Sequence, residues 1–144
     1  MGTSYEYFTA ATQTEAQQTL EHGPKGRFRS IDPVGIDPLV QLGTLETLIT
    51  GRSFSDQLND PFYREEVAGE LDGERSVVRI DRPFVHAVSN ADQEHLLALA
   101  ETWASDEEFG GEAMPTDLRD FLKDFQELCQ ATDEVGDLYC WVGA

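Results

Sequence analysis

Apolar positions along this chain recur at two spacings, and each spacing predicts a different element. Residues 4–9 gather Tyr5, Tyr7 and Phe8 in a short aromatic-rich run, the pattern of an opening strand. Residues 12–22 read as a short helix, stopped at Gly23-Pro24 with glycine in the left-handed position after the last turn. Residues 28–31 read as a short strand, and Asp32-Pro33-Val34-Gly35 as a turn. Asp37-Pro38 predicts a helix start, because aspartate accepts from free N–H groups and proline is preset for the first helical position. Leu42, Leu45, Leu48 and Ile49 give that helix an apolar face, and Gly51 ends it. Ser53 opens a second short helix, with Asp56 at the capping-box distance and with Phe54, Leu58 and Phe62 expected to dock it. Asp60-Pro61 breaks it.

Residues 63–72 have no decisive period and are read as helical. Residues 76–80 are the clearest central strand, after a turn at Asp72-Gly73, and Pro83 ends it or places it at an edge. Ser89 is the expected cap of the next helix, with Asp92 and Glu94 in its first turn. Leu96, Leu99, Ala100 and Trp103 follow the i, i+3, i+4, i+7 pattern. Residues 105–114 form an acidic, glycine-containing loop. Thr116 is the expected cap of the best-patterned helix, residues 117–134, with Leu118, Phe121, Leu122, Phe125, Leu128 and Cys129 on one face. Gly136 stops it, and residues 138–142 read as a final strand. The order predicts a single α+β domain: a small mixed sheet containing both terminal strands, packed against about five helices. No internal repeat or linker divides the chain.

Charge changes the picture more than length does. The 144 residues hold 28 acidic and 10 basic side chains, a net charge of −18. The imbalance is local: from Val85 onward there are fourteen acids against two bases, Arg119 and Lys123. Such a surface repels phosphate backbones and anionic headgroups, which argues against nucleic-acid or membrane-surface binding and favours a basic protein partner. No apolar run approaches the ~18 residues needed to cross a bilayer. The first residues lack the basic and apolar regions of a secretory signal. A cytoplasmic location is expected, with Cys129 and Cys140 as small buried hydrophobes rather than a disulfide.

Candidate chemistry is sparse. No cofactor or metal site is expected, since the zinc, calcium and phosphate-loop spacings are absent. His86 and His95 could meet near Asp92 or Glu94, but unrelated imidazoles account for them as well. No nucleophile elbow is present, and no catalytic residue is assigned. Glu107 and Glu108, beside Trp103 and Phe109, are the best-placed acids for partial desolvation. At 100° per residue, Asp117, Asp120, Asp124 and Glu127 flank the apolar stripe of the last helix. Like charges at i, i+4 cost a few tenths of a kcal/mol. That is small beside about 1.5–3 kcal/mol for each large side chain fully buried on the same helix. The helix therefore tolerates the stripe without any functional reward.

The run from Gly35-Ile36-Asp37-Pro38 to Leu48-Ile49-Thr50-Gly51, then Thr102-Trp103 with Glu107-Glu108-Phe109, then the residue 121–128 helix leading to Leu138-Tyr139-Cys140-Trp141, resembles a group of small uncharacterised bacterial proteins. More distantly it resembles the YfbM-like family, whose function is unknown. The resemblance implies an α/β mixture in one domain and carries no catalytic residue with it.

Three readings follow. The first is a non-catalytic acidic binding protein, inhibitor- or immunity-like, meeting a basic partner through Asp106, Glu107, Glu108, Glu112, Asp117, Asp120, Asp124 and Glu127. The second is a small-ligand binder or enzyme with a cleft formed by Tyr5, Tyr7, Asp37, Gln41, Trp103, Tyr139 and Trp141. The third takes the acidity as proteome-wide adaptation, with no bearing on function.

Overall fold

The structure is a computed structural model that describes residues 2–143, with Val135 described by its backbone alone. Its elements in chain order are β1 (Ser4–Ala10), α1 (Gln13–Gln17), β2 (Ser30–Ile31), α2 (Gln41–Thr50), α3 (Phe54–Asn59), β3 (Glu66–Gly69), β4 (Ser76–Arg79), α4 (Arg82–Ser89), α5 (Gln93–Ala104), α6 (Pro115–Val135) and β5 (Asp137–Gly143). A single 3₁₀ turn, Glu107–Phe109, lies between α5 and α6. The five strands form one sheet in the order β2-β1-β5-β4-β3. Every pairing is antiparallel, so the class is α+β and the expected mixed sheet is an antiparallel one.

The two terminal strands are central neighbours, paired from Ser4 opposite Gly143 to Ala10 opposite Asp137. Side-chain alternation sends Tyr7, Val78, Leu138 and Cys140 to one face. That face carries the main core, filled by Leu42, Leu45, Phe84, Trp103, Phe121, Leu122 and Phe125. Phe121 and Phe125 stack with centroids 5.1 Å apart, and both meet Tyr7 edge-on. The opposite face carries Phe8, Ala10, Val77 and Tyr139 under a thinner cover from Ala16, Leu20, Phe28 and Trp141. Both faces are covered, which is why β1 is buried continuously from Glu6 to Ala10.

Several elements depart from the sequence reading. Residues 66–69 are an edge strand with a bulge, not a helix. Pro83 ends no strand; it sits at the start of α4, where its missing N–H costs nothing. Ser89 closes that helix, and Asp92 caps α5 by accepting from the His95 N–H. Helix α2 begins at Gln41, while Asp37 Oδ1 accepts from the Leu39 and Val40 N–H groups of the preceding turn. Helix α6 starts at Pro115, one residue before the expected cap Thr116. The expected docking of α3 is reversed. Phe54, Leu58 and Phe62 are 58, 62 and 72% exposed, and Gln57 is the buried residue. Its Nε2 donates to the Gly43 carbonyl and Thr47 Oγ1. Gly43 permits the close packing there, since a Cβ would lie 3.3 Å from Gln57 Oε1 and 2.8 Å from the Tyr63 hydroxyl.

Beneath α2 and α3 lies an ionic network. Arg64 and Glu46 are almost fully buried, with Arg64 Nη1 2.9 Å from Glu46 Oε1 and 3.1 Å from Asp81 Oδ1. Arg52 joins from the rim, 3.3 Å from Glu46 Oε2 and 2.5 Å from Asp60 Oδ2. Arg64 occupies the left-handed region at φ +49, and its own N–H donates to Asp81 Oδ1. Its Nε donates to the Pro38 carbonyl at 2.8 Å, fixing the turn that leads into α2.

Candidate functional site

A cleft of about 760 Å³ opens between the loop after β2, the loop between α5 and α6, and the first half of α6. Ile31, Ile36, Phe109, Leu118 and Phe121 give it an apolar floor, and Val34 and Met114 stand exposed at its edge. Five carboxylates line it: Asp32, Glu108, Glu112, Asp117 and Asp124. Among the described residues, no lysine, arginine or histidine lines it.

Local sequence explains the shape. In the loop before α6, Asp106 accepts from the Glu108 N–H and caps the 3₁₀ turn. Gly110 and Gly111 follow at φ +61 and +76, reversing the chain so that Glu112 faces the same opening as Glu108. Phe109 is drawn inward against Trp103, edge-to-face with centroids 5.4 Å apart. On α6, Asp117 and Asp124 are seven residues apart, hence about 20° apart around the axis and beside Phe121. Arg119 and Lys123 are exposed and lie about 100–160° away around the axis.

Gln41 ties the walls together. Its Oε1 accepts from the Asp37 N–H at 3.1 Å, and its Nε2 donates to the Glu108 carbonyl at 2.9 Å. Its own carbonyl accepts from Trp103 Nε1. Behind it, the Tyr5 hydroxyl donates to Asp37 Oδ2 and the Tyr7 hydroxyl to the Ile36 carbonyl. Burial, with the Asp37 carboxylate beside it, pushes the Tyr5 phenol up to about 12, so it stays a donor. Tyr5, Tyr7, Asp37, Gln41 and Trp103 therefore do come together, as the brace behind the cleft. Among them only Gln41 lines it. Tyr139 and Trp141 lie on the other face of the sheet, where Trp141 Nε1 donates to the Leu20 carbonyl. The seven residues thus do not form one aromatic cleft.

Of the expected acidic face, Glu108, Glu112, Asp117 and Asp124 line the cleft. Asp106 is a cap, Glu107 and Asp120 point to solvent outside it, and Glu127 pairs with Arg29 at 3.5 Å. Asp32, which the sequence marks only as part of a turn, also lines the cleft, with Lys25 Nζ 3.0 Å from its Oδ2. Among the described residues, the four cleft carboxylates of the carboxyl-terminal half have no cationic nitrogen at ion-pairing distance. Arg52, Arg64, Arg75, Arg79 and Arg82 are engaged elsewhere, with Glu46, Asp60, Glu65, Glu70, Asp81 and Asp137.

Nucleophilic chemistry finds no support in the thiols. Cys129 and Cys140 are both free and buried on the core side, and burial pushes both well above the usual thiol range. Among the described residues no group of three or more His, Cys, Asp or Glu is placed to hold a metal ion, and no helix is long and apolar enough to cross a membrane.

Comparison with known proteins finds no matching family model, curated protein or solved structure.

Proposed function

We propose that this protein is a non-catalytic binding protein that receives a basic protein partner in the cleft between the β2–α2 loop, the α5–α6 loop and α6. The observation that carries this reading is the set of four carboxylates, Glu108, Glu112, Asp117 and Asp124, left without a cation around an apolar floor. Carboxylates so placed attract an incoming cation, and their summed field raises the association rate at low ionic strength. The site is concave, with carboxylates on its walls. Kinship with the YfbM-like proteins is likewise a proposal, resting on the motif order described above.

The concavity favours a second reading. A volume of about 760 Å³ lies within the range of about 300–1,000 Å³ usual for small-molecule sites, and a small polycation would suit these walls.

Two variants of equal charge test the first reading. One replaces Glu108, Glu112, Asp117 and Asp124 with Gln or Asn. The other replaces Glu74, Glu94, Glu101 and Glu134, which are exposed and lie off the cleft, with Gln. Basic proteins retained from lysate by the parent and the off-cleft variant, but not by the cleft variant, support the proposal. Equal loss from both variants assigns the acidity to bulk charge and overturns it.

A further inference from the structure

We infer that the cleft recognises a basic segment through a large apolar side chain inserted between flanking lysines or arginines, so that charge attracts the partner and burial holds it. The inference rests on the binding reading above and adds the chemistry of the recognised segment.

Charge alone would need only a convex acidic face. Here the carboxylates come from all three walls, Asp32 from one loop, Glu108 and Glu112 from the other, Asp117 and Asp124 from α6, and none lies in the floor. The floor between them is Ile31, Ile36, Phe109, Leu118 and Phe121, with Met114 exposed at the edge. An exclusively cationic ligand would leave that apolar surface in contact with ammonium groups or water. An exclusively apolar one would bring no counter-charge to four unpaired carboxylates. Asp117 and Asp124 are about 10 Å apart along the helix, seven residues at about 1.5 Å each. Two cations can therefore sit at the rim with a leucine- or phenylalanine-sized group between them. Such an anchor in a pocket, ringed by polar contacts, is the usual arrangement of a dominant interface residue.

Two synthetic peptides test the inference with the full chain. Both carry four lysines; one has a central phenylalanine and the other a central alanine. Affinity is measured by fluorescence anisotropy at low and at high salt. The inference predicts that the phenylalanine peptide binds about tenfold or more tightly, that the ratio survives high salt while both affinities fall, and that Ala113→Trp, which puts an indole into the cleft from a half-buried lining position and spares the carboxylates, removes the ratio. Met114→Ser, at an exposed edge position, is the milder variant if Ala113→Trp fails to fold, and reduces the ratio. Equal affinity of the two peptides overturns the anchored mode and leaves the acidic binding reading standing. Binding of both that is unchanged in the Glu108, Glu112, Asp117, Asp124 amide variant overturns the reading itself. Spermine binding as tightly as the phenylalanine peptide also overturns the inference and makes the cleft a small-polycation site.

Discussion

Arg64 Nη1 lies 2.9 Å from Glu46 Oε1, and both side chains are withdrawn from water. A paired charge in that setting is held by its partners, and removing one of them leaves the other uncompensated in a poor solvent. Burial raises the Glu46 carboxyl even with Arg64 beside it, the opposing influence of the guanidinium being the smaller. Arg64→Met leaves Glu46 and Asp81 with Arg52 alone, at 3.3 and 3.5 Å, and is expected to destabilise the fold by about 3 kcal/mol, the lower end for a broken buried pair, read from urea unfolding at neutral pH. Glu46→Gln costs less, because Arg64 keeps Asp81 at 3.1 Å and the amide removes a carboxylate whose ionisation burial already opposes. A smaller loss for Arg64→Met than for Glu46→Gln contradicts this account of the network.

Arg82 and Asp137 form a forked pair at 2.7 and 2.8 Å, and the guanidinium holds the Asp137 carboxyl below the usual range. A carboxyl lowered on folding contributes stability above its unfolded value, about 3.9, and that contribution is lost as pH falls through the folded value. Arg82 is largely exposed, so the contribution is at most about 1 kcal/mol. Arg82→Gln should lower the melting temperature slightly at pH 7, and the gap should close below about pH 4. A gap that widens in acid has the wrong sign.

Glu6 has the opposite sign. Its carboxyl is raised, chiefly by burial and against the pull of Lys25 at 3.9 Å. The folded state therefore binds this proton more tightly than the unfolded one. The penalty for ionisation appears as pH rises through the unfolded value, about 4.3, and is complete above the folded value. Glu6→Gln is expected to raise the melting temperature at pH 7 and to leave it unchanged near pH 3. Destabilisation at pH 7 would show that the Lys25 contact outweighs burial.

Gly136 joins α6 to β5 at φ +126, and a Cβ there would lie 2.6 Å from the Ala10 carbonyl oxygen. The neighbour is backbone of a buried central strand and has little freedom to yield. Gly136→Ala should cost more than about 1 kcal/mol, checked by thermal melting against Gly26→Ala, where nothing lies within 4 Å of the built Cβ. Equal costs at the two glycines would leave only the shared backbone strain.

How far the sequence discloses this molecule depends on whether a residue's role is local. The face of α6 follows from period alone, β1 from its aromatic run, and the Ser53 cap, which accepts from the Asp56 N–H, from residue type at the helix start. The strand of residues 66–69 is legible only through its pairing with β4, because an edge strand of Glu, Val, Ala and Gly has no period of its own. Arg82-Pro83 fits a strand end and a helix start equally well until Asp81 is placed in the ionic network. Arg64 and Glu46 look like surface residues, since nothing local tells a buried pair from two solvated charges. At the cleft, the acids of the carboxyl-terminal half were visible as an excess of charge. The division of the eight acids of the expected face into four around an opening and four outside it is not, because loop curvature and Gln41 decide that. Asp32 is hidden within an ordinary turn signal.

Gln41 makes the shape of the cleft separately testable. Gln41→Ala removes the bonds to the Asp37 N–H and the Glu108 carbonyl while leaving every carboxylate in place. A stability loss of about 1 kcal/mol is expected, together with faster amide hydrogen exchange across residues 105–112. Exchange unchanged there, with stability lost, would place the role of Gln41 in helix α2 alone.

The most direct measurement is a titration of the isotope-labelled protein with the phenylalanine-centred lysine peptide, followed by backbone amide chemical shifts. The account predicts saturable shifts concentrated in residues 30–36 and 108–124, with little change around the equally exposed Glu74, Glu94 and Glu101. Shifts spread over all exposed carboxylates, or centred away from the cleft, would contradict it.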